Sequence, residues 1–228
     1  MKDRTNLISL GLALVFLGLV LGGRPAQGAN VELDSPTTPE GYVALLLINE
    51  VPFPGERAYV SEDDSKAAML SVLWVLHCRV TAIPPGYTQK QVADVQTSNV
   101  IDVMTAGGVK GQVDGFYKDS AGRPVAVPRV HERVAYLLGL ANRGQPGKMA
   151  SLLTYARNLA RRYFQTGPAA KDIFADLRKI GSKQVTGHGY AWMTDVRGFD
   201  PGGSFVSIPD SNQGALGGNR FFTLEKRK

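Results

Sequence analysis

A mainly helical domain of the α+β kind, with one small β-hairpin and a glycine-rich C-terminal tail, is the fold this sequence predicts. Three observations predict it. Two apolar stretches, VALLLI (43–48) and SVLWVLHCRV (71–80), are long enough for core helices and are fenced by prolines and capping residues. Residues 105–128 hold two short β-like pieces, VDGFY and PVAV, around a Ser-Ala-Gly-Arg turn. Residues 182–228 carry eight glycines and no helical period, so helix is disfavoured there.

Each element follows from local chemistry. Thr38-Pro39-Glu40 offers a capping hydroxyl, a proline at the first helical position and an acid on the positive end of the dipole. The first helix therefore runs to about Asn49, where Pro52 and Pro54 break it. A second opens at Ser61-Glu62-Asp63-Asp64 and is apolar nearly all round through Met69, Val72, Leu73, Val75, Leu76 and Val80, which predicts a buried central helix. Thr88 and Gln91 form a capping box for a third. Three more helices are predicted over 129–143, 148–166 and 168–180, with a break at Gly167-Pro168 and Gly181 as the last cap. No repeat and no second core is visible, so residues 39–228 read as one domain.

The first 28 residues read differently. Lys2 and Arg4 precede an apolar run, Leu7 to Leu21, and Ala26-Gln27-Gly28 has the small-x-small form of a cleavage site. This is the pattern of a secretory signal peptide (1–28), followed by a polar lead-in (29–38). An uncleaved anchor is the alternative, since the run is only slightly short for a span. Both place the domain in the cell envelope, the periplasm or outside. Without residues 1–28, which hold Lys2, Arg4, Arg24 and Asp3, the net charge falls from +6 to +4. A modestly basic exported protein suits an anionic partner such as wall polymer. No nucleic-acid module, phosphate loop or nucleophile elbow is present. The run RNLARR (157–162) reads as a solvated helix face.

Cys78 is the single cysteine, so no internal disulfide forms, and in an apolar helix it behaves as a small hydrophobe. His77 is its sequence neighbour and points to another face. His188 and Asp195 are seven apart, but no histidine follows His188 and the others are His77 and His131. Zinc wants three protein ligands; the sequence therefore predicts no metal and no cofactor.

Glu50 is the acid that stands out. It closes an aliphatic run and is followed by Val-Pro-Phe-Pro. Desolvation by such neighbours raises a carboxyl pKa, the condition for a general acid near neutral pH. The bland alternative is a helix-end acid with its head in water, a position unfavourable for an anion. Glu56, in Gly55-Glu56, is the candidate second carboxylate. Glu62-Asp63-Asp64 is a helix start satisfying its dipole. Among the rings, Tyr190, Trp192 and Phe199 sit among glycines. On an extended strand Tyr190 and Trp192 share a face, forming either a sugar-stacking platform or a core plug.

The order of these pieces resembles a known family. A helix ending in an acid is followed by Gly-Glu; AAMLSVLWVLHCRV, SNVIDVMTAGGVKGQVDGFY and the closing GHGYAWM with LGGNRFFTLEKR come in turn. This is similar to the cell-wall hydrolases typified by spore-cortex-lytic enzymes, a branch of the lysozyme-like transglycosylases, over residues 40–226. The resemblance implies a lysozyme-like fold and cleavage of peptidoglycan glycan strands. It implies Glu50 as catalytic acid/base, Glu56 as a supporting carboxylate, and Phe116, Tyr190 and Phe221 as cleft or core aromatics; Phe116, Tyr117, Tyr190 and Trp192 are the candidate substrate-binding rings. Three positions depart from the family. Its two glutamates are four apart where Glu50 and Glu56 are six, Cys78 replaces an Asn, and Asn219 replaces a His. One essential acid suffices for a lytic transglycosylase, whose sugar 6-hydroxyl attacks in place of water. The rival readings are a non-catalytic wall-binding or envelope-assembly protein on the same scaffold, and a wall metallopeptidase.

Overall fold

The computed structural model describes residues 30–143, 147–194 and 202–227. The leader segment 1–28, together with Asp195 and Phe199, lies outside the described residues. Helix α1 spans Pro39–Glu50, its start capped by the Thr38 hydroxyl, which accepts from the Gly41 amide. Helix α2 spans Glu62–Thr81 and is capped in the same way by Ser61. The Thr88/Gln91 capping box opens α3, but only for Gln89–Ala93, and α4 follows at Val100–Thr105. Strands β1 (Phe116–Lys118) and β2 (Pro124–Ala126) form the expected antiparallel hairpin. Helices α5 (Pro128–Asn142) and α6 (Gly147–Thr166) come next, one residue from the predicted starts.

Helix α1 lies at the centre, against α6, α5 and α2. Val43, Ala44, Leu46, Leu47 and Ile48 are each 0% exposed, so this helix is enclosed on all sides rather than amphipathic. At about 1.5–3 kcal/mol for each fully buried aliphatic side chain, this one run contributes on the order of 10 kcal/mol as an upper bound. Helix α2 is buried as its composition predicts, with Val72, Leu73, Val75 and Leu76 sealed.

The C-terminal third departs from expectation. The segment 168–180 is not a helix. Pro168 blocks continuation of α6, Asp172 turns the chain by accepting from the Phe174 amide, and the Trp74 indole pins the Ala170 carbonyl at 2.8 Å. Ile173, Leu177 and Ile180 have helical spacing, yet Ile173 is exposed and Phe174 is the buried residue. A two-stranded pair, β3 (Lys179–Ile180) and β4 (Lys183–Gln184), closes this stretch.

The tail is a sheet. Strands β5 (Ala191–Thr194), β6 (Phe205–Ser207), β7 (Ala215–Leu216) and β8 (Asn219–Leu224) pair antiparallel in the order β5-β8-β6, with β7 also on β8. With 43% helix and 14% strand, the protein is mixed α+β rather than mainly α. The glycines punctuate a sheet instead of preventing structure. Gly217 and Gly218 (φ +53° and +67°) make the β7–β8 turn, the double left-handed geometry that suits strand twist. A Cβ on Gly217 would lie 2.5 Å from that of Ala68, and one on Gly218 would lie 2.8 Å from that of Ala58. This turn is therefore pressed against α2 and the loop after α1. The Gly217 amide also donates to Asp64 Oδ2 at 2.9 Å.

Candidate functional site

The site is built where the end of α1 meets β5 and β8. Glu50 is the last residue of α1, and its carboxylate Oε2 accepts from the Trp192 indole Nε1 at 2.8 Å. Its Oε1 accepts from the Asn49 amide at 3.3 Å. Asn219, at the start of β8, donates to the Glu50 backbone carbonyl at 2.6 Å. The helix end and the side chain are thus each held by one strand of the tail sheet.

Electrostatically, burial dominates. Desolvation raises the Glu50 carboxyl above its ordinary value, and nearby Asp114 pushes the same way. The Trp192 and Asn49 donors and the Arg133 charge pull it down without reversing the direction. Where desolvation outweighs its donors, a carboxyl keeps its proton to higher pH than a solvated one.

Glu56 has another employment. Arg133, from α5, forks onto it, with Nη2 at 2.7 and 2.9 Å from the two carboxylate oxygens and Nε at 3.2 Å. The same guanidinium donates to the carbonyls of Ile48 and Val51 and lies over the Phe53 ring at 5.6 Å. Glu56 Oε2 also accepts from the Phe53 amide at 2.6 Å. Helix α1 has no basic residue in its last turn; Arg133 supplies that charge from another helix, where it complements the negative end of the dipole. The prolines help fix the loop between, and the Pro52 carbonyl accepts from the buried Ser65 hydroxyl at 2.8 Å. Glu56 is therefore the counter-ion of a clamp on the loop, not a free base beside Glu50.

The aromatics divide. Trp192 is half-buried at the Glu50 carboxyl. Tyr190 is 1% exposed; its hydroxyl donates to the Ala82 carbonyl at 2.6 Å, which makes it a core plug and corrects the shared platform. Phe116 is sealed, edge-on to Tyr42 at 5.4 Å, and Phe221 is sealed against Phe174; both are core. Tyr117 is half-buried, a neighbour of Tyr42 near the start of α1. Neither hairpin ring has a hydrogen bond or ring contact with Glu50.

Two arginines escape sequence reading. Arg133 reads as an ordinary charge on an exposed helix, and nothing in its neighbourhood signals a target 77 residues away. Arg79 is 5% exposed, and desolvation pulls its guanidinium down to about 10. Its Nε donates to the Tyr190 carbonyl at 2.7 Å, its Nη1 to Gln112 Oε1 at 2.9 Å, and its guanidinium lies over the Trp192 ring at 5.8 Å. It locks the strand that delivers Trp192. Asn219 was visible as a departure from the family pattern, and its hold on the Glu50 carbonyl gives that position a structural task.

Comparison with known protein families, with curated proteins and with solved structures finds no match to this chain. Among the described residues, no helix is long and apolar enough to cross a membrane.

Proposed function

We propose that this protein cleaves the glycan strands of peptidoglycan in the cell envelope, by a lytic transglycosylase or muramidase type of mechanism with Glu50 as general acid/base. The observation that carries this reading is a single carboxyl, raised by desolvation and oriented by an indole N–H, at a helix end. Protonated Glu50 gives its proton to the glycosidic oxygen as the bond to the anomeric carbon breaks. The resulting carboxylate then takes a proton from the attacking oxygen, either a water or the sugar's own 6-hydroxyl. Engagement of Glu56 by Arg133 favours the one-carboxylate route through the 6-hydroxyl.

The test is incubation of the purified protein with peptidoglycan sacculi, followed by mass analysis of soluble products. Anhydro-muramoyl ends without new reducing ends are expected. Reducing termini carrying oxygen-18 from labelled water would instead identify a hydrolase. No soluble product, with sacculus binding retained, would leave the second reading, a non-catalytic wall-binding or assembly protein. One observation favours that second reading: both Glu50 carboxylate oxygens already have protein donors.

A further inference from the structure

Behind β5 lies a second group of reactive side chains that the glycan-cleaving reading does not use. Cys78 on α2, Asp172 in the turn after α6, and His188 before β5 each point one ligand atom into the same small space, all within 4.8 Å of one another. They come from three separate elements, and each is held in place. Asp172 is 2% exposed; its Oδ1 accepts from the Phe174 amide at 2.9 Å and its Oδ2 lies 2.7 Å from His188 Nδ1. The turn carrying it is pinned by Trp74, one helical turn before Cys78 on α2. His188 has a left-handed backbone (φ +60°), unusual for a residue with a side chain, and its amide is anchored to the Phe174 carbonyl at 3.0 Å.

We propose that Cys78, Asp172 and His188 bind a divalent transition-metal ion, zinc by preference. Bonds of about 2.0 Å to nitrogen or oxygen and about 2.3 Å to sulfur set donor atoms about 3.5 Å apart around a tetrahedral ion, so donors within 4.8 Å of one another reach one ion by closing in by up to about 1 Å through side-chain rotation. The donor set of one soft thiolate, one imidazole and one carboxylate suits zinc rather than magnesium or calcium. The charge balances as well. A thiolate and a carboxylate buried side by side carry two negative charges, and one divalent ion neutralises both as the thiol proton leaves to solvent. Among the described residues no Lys or Arg is paired with Asp172, whose ionic partner is His188.

Access is from one side. His188 keeps about a third of its side chain exposed and lines a pocket of about 360 Å³ with Ile83, Pro84, Thr186, Tyr190 and Lys226. Three protein ligands leave a fourth position for water, which is the arrangement of an exchangeable rather than a closed site. The pocket reaches the cluster at His188, the one of the three ligands that lines it. In sequence the three ligands are scattered over 110 residues, so no ligand spacing announces them.

The experiment uses the full-length protein, stripped with chelator and titrated with cobalt(II), then zinc. Expected are a near-ultraviolet thiolate-to-cobalt charge-transfer band saturating at one ion per chain, its loss on adding zinc, and a rise in melting temperature with either ion. Cys78→Ser should abolish the band, and His188→Gln should weaken cobalt binding at least tenfold. His131→Gln, an exposed histidine elsewhere, and Glu50→Gln should bind as wild type, so this outcome is independent of glycan cleavage. Should Cys78→Ser fail to fold, the wild-type band itself replaces it, since only a thiolate ligand gives that band and Cys78 is the single cysteine. A folded wild-type protein without the band at excess cobalt, or His188→Gln binding as tightly as wild type, overturns the proposal.

Discussion

Two carboxylates stand at opposite ends of the short loop after α1, and their surroundings could hardly differ more. Glu50 meets neutral donors, Trp192 and Asn49, and burial holds its proton more tightly in spite of them and of the Arg133 charge. Glu56 meets the full charge of Arg133 and serves as an anchor. The same side chain, six residues along, is in one place a carboxyl whose pKa is raised and in the other the partner of an ion pair. The sequence sets the two ends apart, VALLLI before Glu50 and Gly55 before Glu56; what it does not show is which distant element arrives at each.

The largest expected effect tests the proton-donor end. Glu50→Gln should lower glycan cleavage by roughly 10²–10⁴-fold, the usual range for a general acid, while far-ultraviolet dichroism is unchanged. Activity above about a tenth of wild type would remove Glu50 from that role. Next comes the clamp. Arg133→Met removes two hydrogen bonds to backbone carbonyls as well as the ion pair. It should destabilise the fold by about 2 kcal/mol, read as a lower urea midpoint at constant slope. Because Glu56 is partly exposed, with 36% of its side chain accessible, Glu56→Gln should cost less, about 1 kcal/mol or under after solvent screening, and should leave cleavage within a few-fold of wild type. A loss as large as that of Glu50→Gln would mean the two ends are chemically equivalent after all.

Two smaller effects sharpen the comparison through pH. The folded-state pKa of Glu50 is raised above the ordinary 4.5, so the native protein holds a proton that the unfolded chain releases. The stabilising contribution is complete below about 4.5 and fades as pH climbs through the folded value. Relative to wild type, Glu50→Gln should therefore gain in melting temperature as pH rises from about 4.5; a flat difference would mean the carboxyl is not raised. Trp192→Phe deletes a donor that favours the ionised form. The alkaline limb of the cleavage profile should move to higher pH, with a stability change of about 1 kcal/mol. A shift to lower pH would show that the indole acts otherwise than by stabilising the carboxylate.

Much of the helical half was legible because its information is local. Thr38, Ser61 and Thr88 are capping residues in sequence and in space, and Pro52 ends α1 where proline must. The anomaly of Glu50 was readable too, since VALLLI and the prolines are its own neighbours. What failed was long-range. Alternation places Tyr190 and Trp192 on one side of a strand, but it does not say that one end of that side faces α2 and the other faces the Glu50 carboxyl. Arg79 holding the Tyr190 carbonyl settles the first, and 142 residues of separation hide the second. Glycine content argued correctly against helix in the tail, yet the cross-strand pairing of β8 is a property of partners that no single window contains. The predicted helix at 168–180 failed in part for the same reason: Trp74 pins the Ala170 carbonyl from outside that turn.

The central position of β8 in its sheet has a consequence for the order of events as the chain is made. Asn219, which holds the carbonyl of Glu50, emerges 169 residues after it, and Trp192 gains its sheet partner only when Phe221 follows. Contacts this distant in sequence form late. The helices can collapse early around α1, but until β8 has docked the acid lies at an unfinished helix end with neither indole nor amide to aim it. A chain truncated before Asn219 would then lack both holds on Glu50, and the cleavage proposed above would begin only with the last strand.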